Sequence, residues 1–251
     1  MPPVRNDGSC PLSQILHEVS LRATELVENL QRFTALEQVE HTEFRKNGKP
    51  RKSSSELFSY AAEIEQNPYG GFWVDEYRTA KTQSEAPPLA DTGTAAFALI
   101  FHPNVIGNFE VHCEGLADHQ GTPAWRLRFE EGSDPRKSFS ALRIKDSQHQ
   151  IRFKGRAWIA ADDYHVLRMQ TDLVAPMPEI HLQLEHFDIA YVPVEFAKRR
   201  FRLWLPERAS MHISYRGRRY QRVHNFSHFQ LFMVDTEQRV KEPIAGPPAE
   251  E

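Results

Sequence analysis

Hydrophobic residues between Leu12 and Phe33 recur at steps of three and four, which is the spacing of one face of an α-helix. Charged residues such as Glu18, Arg22 and Glu25 occupy the opposite side of that helix. A stripe this regular buries itself against an apolar surface, most simply a sheet. The pattern therefore predicts an amphipathic helix over residues 12–33 that lies on a β-sheet.

After this helix the period of the hydrophobic pattern changes from 3.6 to 2, which is typical of strands. The alternation predicts strands at 35–46, 51–66 and 72–78, followed by a polar, proline-containing loop at 80–90. The dipeptide Asn47-Gly48 favours a tight turn, so the first two strands are expected to form a hairpin.

The segment Asp91–Phe101 is unlike its surroundings because its second half, from Ala95, is apolar on every side. Its alanine content favours a short helix over a strand, and the helix should end before Pro103. The segment is far too short to cross a bilayer, so it is expected to be buried. It is either an ordinary core helix, which we favour, or the wall of a cavity for an apolar ligand.

From residue 108 onwards the chain reads as one strand after another, ending with a long strand at 219–234. The apolar phase slips between Leu184 and Phe187, which indicates a β-bulge. Short connections favour an antiparallel meander. We therefore expect an α+β protein with one domain over residues 1–251, a core at about 11–236 and a disordered tail at about 241–251.

The charge balance argues against a nucleic-acid partner, because the net charge is -3 and the pI is near 6.5. Two basic runs, 198–202 and 216–222, stand out against this background. They could bind phosphates of nucleic acid or lipid head groups, but we favour the solvated ends and outer faces of strands. No stretch is apolar for long enough to form a transmembrane helix.

No sequence motif of an enzyme or a metal site is present. The spacing of His224 and His228 places them on one face of a strand but about 13 Å apart, and the twelve histidines are interpreted as scattered solvent-facing residues. Asp162 and Asp163 are adjacent carboxylates in a predicted turn, where aspartate is expected for turn chemistry. The sequence therefore predicts no catalytic residues, no metal and no cofactor.

Cys10 and Cys113 are the only cysteines, and their pairing is left open by the sequence. They could form one disulfide, which would imply an oxidising compartment, but we favour two unrelated thiols because their spacing is not special. The first ten residues lack the apolar core of a secretory signal. The protein is thus either cytosolic or an exported protein that begins after signal cleavage.

The predicted order of elements resembles the bacterial lipoprotein-carrier (LolA/LolB-like) superfamily, a half-barrel whose concave face is covered by helices and holds acyl chains. The closest local likeness is the hairpin Gly155–Gln170, with Trp158, Ile159 and Asp162, and the segment Tyr220–Val234 is similar to the closing strand of such proteins. The resemblance implies a periplasmic or otherwise exported protein. A disulfide between Cys10 and Cys113 would agree with that location.

These observations lead to two hypotheses of different classes, with an enzyme as the least favoured third. The first is a non-enzymatic envelope protein that holds a lipid or lipoprotein acyl chain between the sheet and its helices. Its expected ligand contacts are apolar or aromatic: Phe97, Leu99, Ile100, Phe101, Trp125 and Trp158. The second is an envelope scaffold or sensor with a filled core, which would act through a protein partner.

Overall fold

The computed structural model describes residues 10–30, 32–66, 71–80, 97–134, 140–144, 147–196 and 201–231. The helices are α1 (Leu12–Asn29) and α2 (Pro103–Ile106), with 3-10 helices at Phe97–Phe101 and Pro178–Ile180. The strands are β1 (Arg32–Phe44), β2 (Pro50–Gln66), β3 (Phe72–Ala80), β4 (Phe109–His119), β5 (Thr122–Glu131), β6 (Ser140–Ile144), β7 (Ser147–Ile151), β8 (Phe153–Ala160), β9 (Val166–Leu173), β10 (Leu182–Phe196), β11 (Phe201–Tyr215) and β12 (Arg218–Leu231).

Ten of these strands form one antiparallel sheet in the order β3-β2-β1-β12-β11-β10-β9-β8-β5-β4. The sheet is not closed, since β3 and β4 are its two edges, and β6 pairs with β7 in a separate hairpin. The result is an open half-barrel of the α+β class: the alternation predicted an antiparallel α+β protein, and the resemblance implied the half-barrel. Within the described residues, no helix is long and apolar enough to span a membrane.

Helix α1 packs on one face of this sheet through the side chains that the sequence placed on its apolar stripe. Ile15 and Val19 are fully buried in the main hydrophobic core together with residues of the sheet. The helix is shorter than predicted, because it ends at Asn29 and Phe33 belongs to β1. Phe33 continues the three- and four-residue spacing only by coincidence, since it is also the first inward position of a strand.

The apolar segment forms a 3-10 helix, Phe97–Phe101, whose five side chains are all buried. It contacts α1 on one side and α2 on the other, and it belongs to the main core. His102 begins α2, and its Nδ1 accepts a hydrogen bond from the backbone N–H of Asn104. The chain therefore inserts a fully apolar turn between the helix and the concave face of the sheet.

Cys10 and Cys113 form a disulfide, so the favoured interpretation of two unrelated thiols is wrong. The bond joins Cys10, two residues before the first residue of α1, to strand β4 across a sequence separation of 103 residues. Spacing along the chain could not reveal this pairing, because it depends on where the sheet places β4 relative to the start of the helix. The start of α1 is thereby tied covalently to one edge strand.

One local prediction is confirmed and another is displaced along its strand. A bulge is present in β10, but its register shift against β11 lies between Leu182 and Leu184, just before the predicted slip between Leu184 and Phe187. Asp163 lies in the turn between β8 and β9, where its Oδ1 accepts a hydrogen bond from the N–H of His165. Several predicted segments fall outside the described residues: the loop from 81, the part of the apolar helix before 97, basic residues 198–200, the last strand beyond 231 and the tail.

Candidate functional site

A small cavity lies between α1 and the strands β9, β10 and β11. Its volume is about 40 Å³, which is room for about one water molecule and far below the roughly 300 Å³ of a small-ligand pocket. The lining residues come from α1, the 3-10 helix and the sheet: Val19, Arg22, Ala23, Glu25, Leu26, Ala98, His165, Val166, Tyr191, Arg202, Leu203 and Trp204. This cavity is the candidate site.

Apolar side chains form most of the cavity wall. Val19, Ala23 and Leu26 belong to the buried stripe of α1, and Leu203 faces them from the sheet. Ala98 is the residue of the 3-10 helix in this wall. The cavity is thus continuous with the main hydrophobic core, and a ligand placed in it would contact the apolar 3-10 helix.

Three buried hydrogen-bonding atoms of the lining residues have no hydrogen-bond partner among the described residues: Oη of Tyr191, Nε1 of Trp204 and Nδ1 of His165. Nδ1 of His165 lies 3.1 Å from Oδ2 of Asp163, which leaves the phenol of Tyr191 and the indole N–H of Trp204 as the two groups without a neighbouring carboxylate. Tyr191 itself is only 5% exposed, and this burial raises the pKa of its phenol well above the ordinary value. The phenol therefore keeps its proton, so both groups are available as donors.

Charged groups surround the cavity in pairs. Nη1 of Arg22 lies 3.2 Å from Oε2 of Glu25, and its Nε donates to the backbone carbonyl of Asp163. Arg202 is paired with Glu195 at 2.5 Å. Arg22, Glu25 and Arg202 line the cavity and Glu195 does not, so the lining carries a small excess of positive charge.

His165 connects the cavity to the turn between β8 and β9. Its ring stacks on the indole of Trp204 with centroids 5.3 Å apart. Burial lowers the pKa of His165 below its ordinary value, although the nearby carboxylate of Asp163 acts in the opposite direction. The imidazole is therefore predominantly neutral at neutral pH and packs as an aromatic ring.

The structure brings most of the sequence-predicted contact residues together on the concave side. Phe97, Leu99, Ile100 and Phe101 are no more than 3% exposed and lie in the main core, against which Trp125 also packs. These side chains are in tight contact with one another rather than around an open space. None of them lines the cavity, which the 3-10 helix reaches through Ala98.

Trp158 is not brought together with these residues. Its neighbours in β8, Ala157 and Ile159, belong to the main core, so the indole lies on the opposite face of the sheet. There it forms a second small cluster with Ala124, Ala160 and Leu167. The guanidinium of Arg168 lies over the indole at 5.0 Å, held by an ion pair with Asp188.

A buried polar cluster crosses β3, β1 and β12 and was missed by the sequence analysis. Glu37 of β1 is completely buried and accepts hydrogen bonds from Nε and Nη2 of Arg78 on β3, at 2.7 and 2.9 Å. Arg78 reaches Glu37 across β2, where its guanidinium lies over the ring of Tyr60 at 5.1 Å. The only indication in the sequence was that Glu37 lies at an alternate position of β1 together with Phe33 and Ala35, and therefore on the same inward face of the strand.

The interpretation of the histidines as solvent-facing is wrong for His41, His102 and His224, which are all buried. His224 is 1% exposed and lies in the Glu37 cluster, whereas His228 is exposed. The two do not share a face because the register of β12 against β1 shifts between Ser227 and Gln230, and His228 has a positive φ. No group of three or more metal-ligating side chains occurs in the part of the chain that the structure describes.

The interpretation of the second basic run as solvated is wrong for one of its residues. Arg222 is 5% exposed, and its Nε donates to Nδ1 of His41 at 3.2 Å. Arg218 and Arg219 are exposed, as expected. Arg222 is an inward position of β12, and alternation places it beside His224 in the polar cluster rather than on the outer face.

Comparison with solved structures finds proteins of similar fold. A LolA superfamily protein from Nitrosomonas europaea is 11% identical, with 90% of this chain and 96% of that chain covered and a TM-score of 0.43. A domain from Vibrio parahaemolyticus named for outer membrane lipoprotein sorting is 11% identical, with coverage of 90% and 95% and a TM-score of 0.49. The lipoprotein LppX from Mycobacterium tuberculosis is 12% identical, with coverage of 89% and 99% and a TM-score of 0.32.

No protein-family model matches the sequence, and no curated protein is significantly similar to it. At 11–12% identity, the similarity to the solved structures is one of fold alone.

Proposed function

We propose that this protein is a non-enzymatic binding protein that holds an apolar ligand, such as an acyl chain, between α1 and the concave face of its sheet. The observation that carries the proposal is the apolar cavity beneath α1, which adjoins the wholly apolar 3-10 helix Phe97–Phe101. Buried donors without partners in the same cavity support it further. A buried donor without a partner lowers stability, and an acceptor on a bound ligand would satisfy it.

Binding of an acyl chain requires the cavity to open. The present volume of about 40 Å³ must grow several-fold to accept a chain, because ligand pockets have volumes of roughly 300–1,000 Å³. The disulfide holds the start of α1 against β4, so we propose that opening separates the sheet from the part of the helix between Val19 and Leu26, which lines the cavity.

The opened space would expose the side chains that now fill the core. Phe97, Leu99, Ile100, Phe101 and Trp125 remain our proposed ligand contacts, because movement of α1 would uncover the 3-10 helix it contacts. Burial of apolar ligand surface contributes about 25 cal/mol per Å², part of which offsets the separation of α1 from its own contacts. Trp158 is left out of this set because it lies on the other face of the sheet.

The proposed location is the periplasm or another exported compartment. The disulfide between Cys10 and Cys113 supports it, because such bonds persist in oxidising environments. An acyl chain of a lipid or lipoprotein is the ligand class proposed for that setting, and an envelope protein would be the partner that delivers or receives it.

The experiment is native mass spectrometry of the purified protein after solvent extraction of bound lipid and after addition of fatty acids. We expect stoichiometric uptake by the natural protein. Ala98→Val fills the cavity and should reduce uptake, whereas Ala80→Val, at an exposed strand position, should not. Absence of any bound or added lipid from the folded natural protein would reject the proposal.

A second candidate is a scaffold or sensor domain with a filled core. The small volume of the cavity favours it, since the concave face is already occupied by the protein's own side chains. This candidate predicts that Ala98→Val leaves every functional property unchanged and raises stability by filling a void.

A further inference from the structure

We infer that the cavity beneath α1 receives the polar end of the ligand, a carbonyl or carboxylate oxygen carried by an acyl chain. This inference rests on the proposed function and adds the chemistry of the ligand's head. It follows from the side chains of Tyr191 and Trp204, which line the cavity. Neither residue belongs to the set of proposed ligand contacts in the core.

The hydroxyl of Tyr191 has no partner although it is removed from water. Tyr191 is only 5% exposed, and its Oη has no hydrogen-bond partner among the described residues. A buried hydroxyl without a partner lowers stability, and a phenylalanine would fill the same space without that loss. The hydroxyl therefore suits a partner that arrives from outside the protein, and the residue lines the cavity where such a partner would enter.

Trp204 gives the same indication from the neighbouring strand. Its Nε1 is buried without a hydrogen bond among the described residues, and its indole is held in place by the stacked ring of His165. An indole N–H can only donate, and the buried phenol of Tyr191 keeps its proton and donates too. Both residues line the cavity, although Trp204 also packs against the cluster around Trp158 on the other face of the sheet. Two buried donors on lining residues suit a ligand group that accepts hydrogen bonds, such as an oxygen of a carboxylate or an ester.

The charges at the cavity are compatible with this group. Arg22 is already paired with Glu25, and Arg202 is paired with Glu195. The lining therefore offers a weak positive field rather than an unpaired cation, so recognition of oxygen depends on the two donors more than on charge. A free fatty acid and an esterified acyl chain share the required chemistry, and the experiment separates them.

The experiment compares the dissociation constants of palmitic acid, its methyl ester and hexadecane for the natural protein and for Tyr191→Phe. We expect the variant to bind the oxygen-bearing ligands about tenfold more weakly, the size of one hydrogen bond, and the hydrocarbon equally well. The unliganded variant should be at least as stable as the natural protein, because it loses an unpaired hydroxyl. Tyr77→Phe, at a residue that is 57% exposed, is the matched control.

The outcomes separate this inference from the proposed function. If the natural protein binds none of the three ligands, the proposed function fails. If it binds them and Tyr191→Phe changes nothing, or if the unliganded variant is less stable, the polar subsite is overturned while the proposed function stands. Weaker binding of the acid alone supports a free carboxylate as the ligand head, and weaker binding of acid and ester supports an acyl carbonyl.

Discussion

The imidazole Nδ1 of His224 lies 2.8 Å from Oε1 of Glu37, and neither side chain is more than 2% exposed. The pair joins β12 to β1, and Arg78 of β3 also donates hydrogen bonds to the carboxylate. Burial acts to raise the pKa of Glu37, but the hydrogen bonds from His224 and Arg78 hold it below its ordinary value. A charged group is thereby stabilised inside the half-barrel and ties three strands together.

Replacement of Glu37 by glutamine is expected to destabilise the protein strongly. The amide retains the shape of Glu37 but removes its buried negative charge, which pairs with the partly buried Arg78. Loss of one partner from a buried pair costs about 3–5 kcal/mol. Urea denaturation at neutral pH measures the difference. Glu110→Gln is the control, because that side chain is 76% exposed, and surface changes stay within about 0.5 kcal/mol.

Acid should remove the difference between the natural protein and Glu37→Gln. Because the folded-state pKa of Glu37 is lowered, its contribution is present above the unfolded-state pKa of about 4.3 and is lost as the pH falls through the folded-state value. The two proteins should therefore converge in free energy of unfolding as the pH falls below the unfolded-state pKa and through the lower folded-state value. If the difference in free energy of unfolding between the two proteins stays the same at acidic pH, the glutamine acts through packing rather than through the loss of charge.

His165 should make stability depend on pH in the mildly acidic range. Its folded-state pKa is lowered by burial, so its stabilising contribution is present above the unfolded-state pKa of about 6.5 and is lost as the pH falls through the folded-state value. His165→Phe keeps the ring against Trp204 without a titrating group. We expect the variant to lose less free energy of unfolding than the natural protein between about pH 8 and about pH 5.

The control for this experiment is His17→Phe, at an exposed position of α1, which should leave the pH dependence unchanged. Burial also lowers the pKa values of His102, His119 and His212, so the dependence should become smaller in His165→Phe rather than vanish. Identical pH profiles for the natural protein and His165→Phe would refute the assignment.

Removal of the disulfide by the double substitution Cys10→Ser and Cys113→Ser should lower stability by about 2–5 kcal/mol. A bond across 103 residues restricts the unfolded chain, which is the main source of its stabilisation. Denaturant unfolding with and without a reductant measures this. The natural protein should lose stability on reduction, whereas the double variant should be insensitive to the reductant. Equal stability of the oxidised natural protein and the double variant would contradict the assignment.

A methyl group at Gly155 should destabilise the sheet where β8 lies between β5 and β9. A Cβ built there would lie 2.1 Å from the backbone oxygen of Gln170 and 2.6 Å from Cζ of Phe129, which is too close for any side chain. Gly155→Ala is therefore expected to cost at least about 1–3 kcal/mol, the usual range for overpacking. Gly107→Ala is the control, because a Cβ there meets nothing within 4 Å, and thermal unfolding of both variants decides the comparison.

Much of the fold could be predicted from the sequence because hydrophobic alternation and helical spacing are local properties. The hairpin of β1 and β2, the bulge in β10 and the amphipathic face of α1 all appeared as patterns along the chain. The patterns were weaker at ends of elements, where Phe33 suited both a helix and a strand. Local periodicity therefore determined the class of the protein and the inward face of most strands.

Only the tertiary structure decided which inward residues meet. The ion pair of Glu37 with Arg78 joins strands separated by β2, and the disulfide joins residues 103 positions apart, so no spacing along the chain could reveal either contact. The same holds for the cavity, where Tyr191 and Trp204 come from neighbouring strands and α1 covers them. Strand alternation assigns a residue to a face of the sheet, but its partners depend on strand order and register, which long-range packing determines.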